Sequence, residues 1–247
     1  CIRDRSRIAD ISCQAWEEPD HSIWEIRGGP KNYTYSKVML WVAMDRAVHL
    51  SEDFGLEGDK AEWERSRHNI AQSVLKHGYD REVGAFVQSY GSKALDAANL
   101  RIPLLEFLPF DDPRVQGTID RTMEQLTVNG MVYRYLEDEP SWGKEGAFGL
   151  CTFWLVDALA LSGRIEEAWS IFENMVNHSN HLGLLSEQID PYTGEFLGNF
   201  PQAFTHIGLI NSLIYLKFAE GKPTSLPYPI GTPEHRRLRG RVHTSGP

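Results

Sequence analysis

The sequence predicts an all-α protein built from two layers of helices. Three observations predict it. Four segments are apolar nearly all the way round: Lys37–Leu50, Ser92–Phe107, Ala147–Ser162 and Gln202–Phe218. Helices of that kind are buried on most sides. Between them lie segments with a single apolar stripe. The buried segments begin near 37, 92, 147 and 202, a spacing of about 55 residues that marks a repeat of one striped and one buried helix. Buried helices need neighbours on every side, so they form an inner layer and the striped ones an outer layer. An open solenoid and a closed double ring of helices both fit.

The elements follow in order. Arg5–Trp16 shows one stripe, Ile8, Ile11 and Ala15, and precedes the first buried helix at Lys37–Leu50. Asp59–His77 carries a weaker stripe and precedes Ser92–Phe107. In Asp112–Leu126 the stripe is Val115, Ile119, Met123 and Leu126. Asp112 stands at the N-cap there and Pro113 at the first helical position, both favoured. Ala147–Ser162 is the third buried helix, closed by Gly163 as C-cap. Arg164–His178 has the stripe Ile165, Ala168, Trp169, Phe172, Met175 and Val176 and precedes Gln202–Phe218. Four outer–inner pairs result.

Links from outer to inner helices are long (14–36, 78–91, 127–146 and 180–201), and the return links are short. Alternating stretches at Ala85–Tyr90 and Met131–Leu136 read as small strands inside them. Since helix direction alternates, all the long links fall on one face. Long loops on a rigid scaffold are where function concentrates.

Composition narrows the function. The chain has 247 residues, 41% hydrophobic and 24% charged, in the range of ordinary globular proteins. No run of apolar residues reaches the length of a transmembrane helix. The formal charge of −9 argues against nucleic acid as the main partner. Residues 217–247 carry a net +4, which leaves −13 on residues 1–216. The segment 221–247 is rich in Pro and Gly without apolar period and is expected to be a disordered basic tail. Cys1, Cys13 and Cys151 make no disulfide framework, and Cys151 sits in an apolar run as a small buried hydrophobe. No signal-peptide pattern stands near the start, so a cytoplasmic location is expected. The chain begins with Cys rather than Met, which suggests a piece of a longer protein.

The long loops hold carboxylates beside aromatics and amides. The first contains Trp24, Glu25, Arg27 and Lys37, and the fourth Glu187, Gln188 and Asp190. The second and third carry Tyr79, Asp80, Gln88, Tyr90, Tyr133, Arg134, Tyr135, Trp142 and Glu145. Aromatic rings cover the apolar face of a pyranose while charged groups bond its hydroxyls. Two carboxylates from different loops are what glycoside hydrolysis asks for, and Trp24 offers an apolar wall for the acid beside it. The plain alternative for each carboxylate is a solvated loop or a helix cap. His178 and His181 lack carboxylate or Cys partners, so neither a metal nor any other cofactor is expected. No phosphate-binding glycine loop and no GxSxG elbow is present. His206 on the last buried helix reads as a satisfied core residue, with a substrate role left open by its position facing the loop layer.

Four strings sharpen this: WEIRGGPKNYTYSKVMLWVAMDRA, GAFVQSYGSKALDAANLRIPLLEFLP, GAFGLCTFWLVDALALSGRIEEA and GLLSEQIDPYTGEFLGNFPQAFTHIGLIN. In order, over residues 15–220, they resemble glycoside hydrolase family 15, the inverting glucoamylases, glucodextranases and trehalases. The resemblance implies an (α/α)6 toroid with its active site on the loop face. Six helix pairs are then needed and four are present, so residues 1–220 would be a partial catalytic domain. It also implies Glu25 as general acid and Glu187 as general base. Trp24, Arg27, Lys37, Arg134, Glu145, Phe148 and Gln188 would contact substrate. Ile26 stands where starch-degrading relatives carry a second Glu, which leaves trehalose or short α-glucans as substrates. The expected activity is exo-acting release of β-glucose. Two rivals remain: a phosphorylase on a similar ring, and an inactive or fragmentary helical-repeat binding module. Oligomeric state is left open.

Overall fold

A computed structural model of the chain describes residues 2–136, 145–222 and 230. Trp142 and all of the expected disordered tail beyond residues 221, 222 and 230 lie outside the described residues. Among the described residues seven α-helices run in order: α1 Ile2–Ala15, α2 Thr34–Phe54, α3 Lys60–Ser73, α4 Pro113–Gln125, α5 Gly149–Leu161, α6 Ile165–Asn177 and α7 Ala203–Ala219. Strands of two residues sit only in the long links. β1 Tyr79–Asp80 pairs antiparallel with β2 Ala85–Phe86, and β3 Thr127–Val128 with β4 Met131–Val132. β5 Ala147–Phe148, β6 Gln188–Ile189 and β7 Phe196–Leu197 make a three-stranded sheet. The all-α class, the helix–loop alternation and the two small hairpins follow the sequence reading.

The chain divides into two compact units, one through Lys93 and one from Ala94 onward. In the first, α1, α2 and α3 pack together. Trp63 and Ile70 of α3, Val74 just after it, and Val38, Met44 and Val48 of α2 are all fully or nearly fully buried. Trp63 also donates from Nε1 to Asp10 Oδ1 at 2.9 Å. Helix α2 stops at Gly55, whose φ of 63° is left-handed, the backbone state that ends many helices.

In the second unit α5 is the hub, buried along almost its whole length. It packs on α4, α6 and α7. Asp112 caps α4 as its sequence position predicts, accepting from the Arg114 N–H at 2.9 Å. α6 buries Ala168, Phe172 and Met175, and Trp169 stands edge-on to Phe172.

Three expectations are corrected. The segment 92–107 is not an α-helix. It forms a short 3-10 turn at Ala97–Arg101, capped by Asp96, and then continues in turns. Ile102 still holds helical dihedrals, but Pro103 after it has no N–H to carry the hydrogen-bond ladder on, and Glu106 adopts φ 67°. Burial is nonetheless high from Leu95 to Leu104. In α1 the stripe is turned over: Ala9 and Ser12 face inward, while Ile8 and Ile11 are exposed at 59% and 53%. Helix α7 is not buried all round either. Thr205, Gly208, Ser212 and Leu216 face α5, and Phe204, Ile207 and Ile210 are exposed. The small residues let α5 approach closely, so that a Cβ on Gly208 would already stand 3.1 Å from Phe153. The bulky side chains of α7 therefore point the other way.

Candidate active site

In the first unit the loop between α1 and α2 is shaped by its own backbone. Asp20 and Lys31 exchange two N–H···O bonds of 2.9 Å and pinch the loop at its base. Asp20 Oδ1 accepts from the Ser22 N–H and the Ser36 hydroxyl, each at 2.7 Å. The Ile26 N–H reaches the His21 carbonyl at 2.8 Å. Between these ties Ser22 and Glu25 adopt φ of 65° and 52°. Left-handed backbone at a non-glycine residue costs on the order of 1–3 kcal/mol and collects at functional sites. Glu25 is exposed and its carboxylate has no hydrogen-bond partner among the described residues; Trp24 beside it is half-buried and Arg27 is exposed. Lys37 differs. It is buried at 2% exposure, and its Nζ donates to the Glu18 carbonyl at 2.5 Å. Burial lowers its pKa against the pull of Asp20, Glu18 and Glu17.

In the second unit five of the expected residues come together. Arg134 follows the β3–β4 hairpin, its carbonyl accepting from the Ala97 N–H at 2.8 Å. Its Nε donates to Glu145 Oε1 at 2.8 Å, and its Nη2 bonds the same oxygen. The guanidinium lies 5.3 Å from the Phe148 ring and 5.5 Å from the Tyr135 ring, within cation–π range. Phe148 pairs with Gln188 across β5 and β6. Gln188 Oε1 accepts from the Gly146 N–H at 3.0 Å.

Glu187 is clamped. Its N–H donates to the Asn199 carbonyl at 2.9 Å, and its carbonyl accepts from the Gly149 N–H at 3.0 Å. Oε2 accepts from the Asn199 N–H at 3.1 Å and from Asn199 Nδ2 at 3.3 Å. Oε1 accepts from Gln202 Nε2 at 3.2 Å. The same Gln202 caps α7, its Oε1 accepting from the Phe204 N–H at 3.4 Å. Gly198 makes room for this. A Cβ there would stand 2.4 Å from Glu187 Oε2, and its φ is 69°.

Other singled-out residues have structural work. Asp190 Oδ1 accepts from the Tyr192 N–H at 2.9 Å and folds a turn. Asp80 does the same for Glu82 and Val83. Tyr79 lies edge-on to Phe86 across its hairpin. His206 Nε2 accepts from the Leu185 N–H at 3.3 Å, and its Nδ1 faces the Gln202 carbonyl at 2.7 Å, so both ring nitrogens are satisfied. His178 Nδ1 lies 2.8 Å from the Asn174 carbonyl at the end of α6, and His181 is exposed.

Comparison with known proteins now decides the family. The model of glycosyl hydrolases family 15 matches residues 6–213. This chain belongs to that family. Trehalases of Thermoplasma volcanium and Mycobacterium tuberculosis are 44% and 43% identical over 85% and 89% of the chain. The match covers only 34% and 32% of those proteins, so the chain spans about a third of the length of the curated relatives it matches. Among solved structures, a glucoamylase from Saccharomycopsis fibuligera superposes with TM-score 0.71 at 11% identity, covering 87% of this chain and 61% of its own. A bacterial glucoamylase complexed with acarbose gives 0.66 at 17% identity, over 84% and 36%. These likenesses establish the helical toroid fold of family 15, of which the chain is a part.

Within the family 15 chain, Asn199, Gln202 and Gly198 were not singled out from sequence. Their one signal is proximity: all lie within fifteen residues of Glu187, in the stretch GNFPQAF. No helix among the described residues is long and apolar enough to cross a membrane.

Proposed function

We propose that this chain carries the catalytic carboxylates of an inverting, exo-acting α-glucoside hydrolase. Glu25 is the general acid and Glu187 the general base. The observation that carries the reading is the clamp on Glu187. Asn199 and Gln202 fix the plane of its carboxylate from both oxygens, and the Arg134–Glu145 pair, Phe148 and Gln188 in the same unit are groups suited to a sugar. Glu25 protonates the glycosidic oxygen. Glu187 takes a proton from water, which attacks the anomeric carbon from the opposite face of the ring, as single displacement requires. The bond to the leaving sugar breaks as the new C–O bond forms, and β-glucose leaves.

Arg134 and Glu145 bond hydroxyls of the terminal sugar, Phe148 and Trp24 line its apolar face, and Gln188 and Arg27 complete the contacts. Lys37 supports the first loop from beneath through the Glu18 carbonyl. The trehalases among the relatives favour trehalose over maltose or isomaltose as substrate. Family 15 membership favours hydrolysis over phosphorolysis.

The test is glucose release from trehalose, maltose and isomaltose, with the first anomer read by proton NMR. The expected result from trehalose is one β-glucose from the inverted sugar for each α-glucose from the leaving sugar, and β-glucose from the non-reducing end of maltose or isomaltose, all lost in Glu25→Gln and in Glu187→Gln. Recovery of α-glucose without β-glucose before mutarotation, or glucose 1-phosphate in phosphate buffer, overturns it. So does a wild-type chain as silent as Glu25→Gln.

A further inference from the structure

The first unit contains a cavity of about 290 Å³ that the catalytic carboxylates do not line. That is the low end of the roughly 300–1,000 Å³ range of small-molecule clefts, a size for a single ring rather than a chain. Its wall has three aromatic members: Trp16, His77 and Tyr90, with the last two rings 5.5 Å apart. Its polar members are Glu17, Asn32, Lys37 and Ser73. Tyr90 Oη and Ser73 Oγ lie 3.2 Å apart. Asn32 Oδ1 is buried without a hydrogen-bond partner, and rotation of this amide toward the cavity gives it one.

The backbone here is unusual. Helix α3 ends in a π-turn at Val74–Gly78, a winding that is rare and concentrates at functional sites. It sets Ser73 and His77 on the cavity. The Lys37 ammonium does not make the cavity an anion site. One of its donors is taken by the Glu18 carbonyl, and Glu17, Glu18 and Asp20 all act on it. On the wall itself Glu17 offsets Lys37, leaving N–H donors, a carboxylate acceptor and hydroxyls. Aromatic rings together with mixed donors and acceptors fit a ligand with an apolar face and an edge of hydroxyls.

We propose that this cavity binds one neutral polyhydroxylated ring, a pyranose or cyclic polyol, at a site separate from Glu25 and Glu187. Trp16 and Tyr90 cover its apolar face. Glu17 accepts from its hydroxyls, and Lys37 and Ser73 donate to them. The site does not depend on the catalytic assignment.

The test is isothermal titration with D-glucose of the wild-type chain, of the Glu25→Gln/Glu187→Gln pair, and of Trp16→Ala and His77→Ala. Circular dichroism checks that each is folded. The expected result is that the paired variant keeps a glucose site of unchanged affinity, while Trp16→Ala and His77→Ala each weaken that site at least tenfold. His77 is exposed at a helix end, so its variant remains informative where Trp16→Ala fails to fold. Loss of all glucose binding in the paired variant overturns the proposal. So does a paired-variant affinity untouched by His77→Ala, and so does binding of inorganic phosphate in place of glucose. Failure of the catalytic reading shows separately, as absent hydrolysis with glucose binding intact.

Discussion

The loop that carries Glu187 is tied down side chain by side chain, whereas the loop that carries Glu25 is tied down through its backbone. Glu187 has donors on both carboxylate oxygens and hydrogen bonds on both its main-chain groups. Glu25 has a left-handed backbone, a pinched loop base and a carboxylate without a partner among the described residues. The contrast suits the proposed roles. A base that orients a water gains from a fixed plane. An acid that must meet the glycosidic oxygen gains from holding no bond that the substrate has to break. Strain stored at Glu25 and hydrogen bonds spent at Glu187 are two routes to the same end, a carboxylate in one place.

The largest effect expected is from removing either carboxylate's proton chemistry. Glu25→Gln and Glu187→Gln should each lower kcat for trehalose by about 10²–10⁴-fold, the usual worth of general acid–base catalysis. Steady-state kinetics checks this, and a loss under tenfold for either breaks the assignment. The next effect tests the clamp alone. Gly198→Ala places a Cβ against Glu187 Oε2 and asks Ala to hold φ near 69°. A displacement on the order of 1 Å at a reacting group costs about 10²-fold. The expected outcome is a kcat lowered by about that factor with the fold kept, seen by kinetics beside circular dichroism. Because the clamp acts on Glu187 and not on Glu25, the same variant should leave D-glucose binding in the Trp16–Tyr90 cavity unchanged.

A smaller effect probes the sugar contacts. Arg134→Lys keeps the charge but loses the flat fork that bonds Glu145 through two nitrogens and stacks on Phe148. KM for trehalose should rise about tenfold with kcat changed less, the pattern of lost uniform binding. An unchanged KM would place Arg134 outside the sugar contacts.

Much of this was legible in the sequence because it is local. Asp112 and Pro113 announce the start of α4, and the apolar run Ala147–Ser162, without a proline inside it, reads as a buried helix. The family was legible in strings that resemble it, and the two carboxylates are proposed from those strings. What was not legible depends on how segments meet. The segment 92–107 is apolar and buried, and composition alone does not distinguish a buried helix from buried turns; the missing N–H of Pro103 was the warning. The facing of α1 and α7 turns on which neighbour is near, and small residues such as Gly208 and Ser212 win the close contact over larger apolar ones. Asn199 and Gln202 reach Glu187 only because the β6–β7 turn folds the chain back, which no periodicity reports.

The smallest effect on activity should come from beneath the Glu187 loop, where α5 and α7 are pinned together. Ser212 Oγ donates to Asp157 Oδ1 at 2.5 Å and lies 3.0 Å from the Phe153 carbonyl. Asp157 is fully enclosed, and burial pushes its carboxyl up to about 7 against the opposing effects of the Ser212 hydrogen bond and the Arg101 charge. Burial also raises the Tyr215 hydroxyl, with the Asp157 charge adding to it. In the folded chain Asp157 thus keeps its proton to near neutrality, while the unfolded chain gives it up near 4. Stability from this retained proton is full below about pH 4 and drains away as pH rises toward 7, a loss on the order of a few kcal/mol. Asp157→Asn mimics the protonated form and keeps an acceptor for Ser212. Its Tm should therefore lie above wild type at pH 8 and converge with it at pH 4, with kcat for trehalose unchanged at pH 5. A wild-type Tm that does not fall between pH 4 and 7 relative to Asp157→Asn would show that the α5–α7 contact carries no such proton. The Glu187 half of the comparison would then rest on its hydrogen bonds alone.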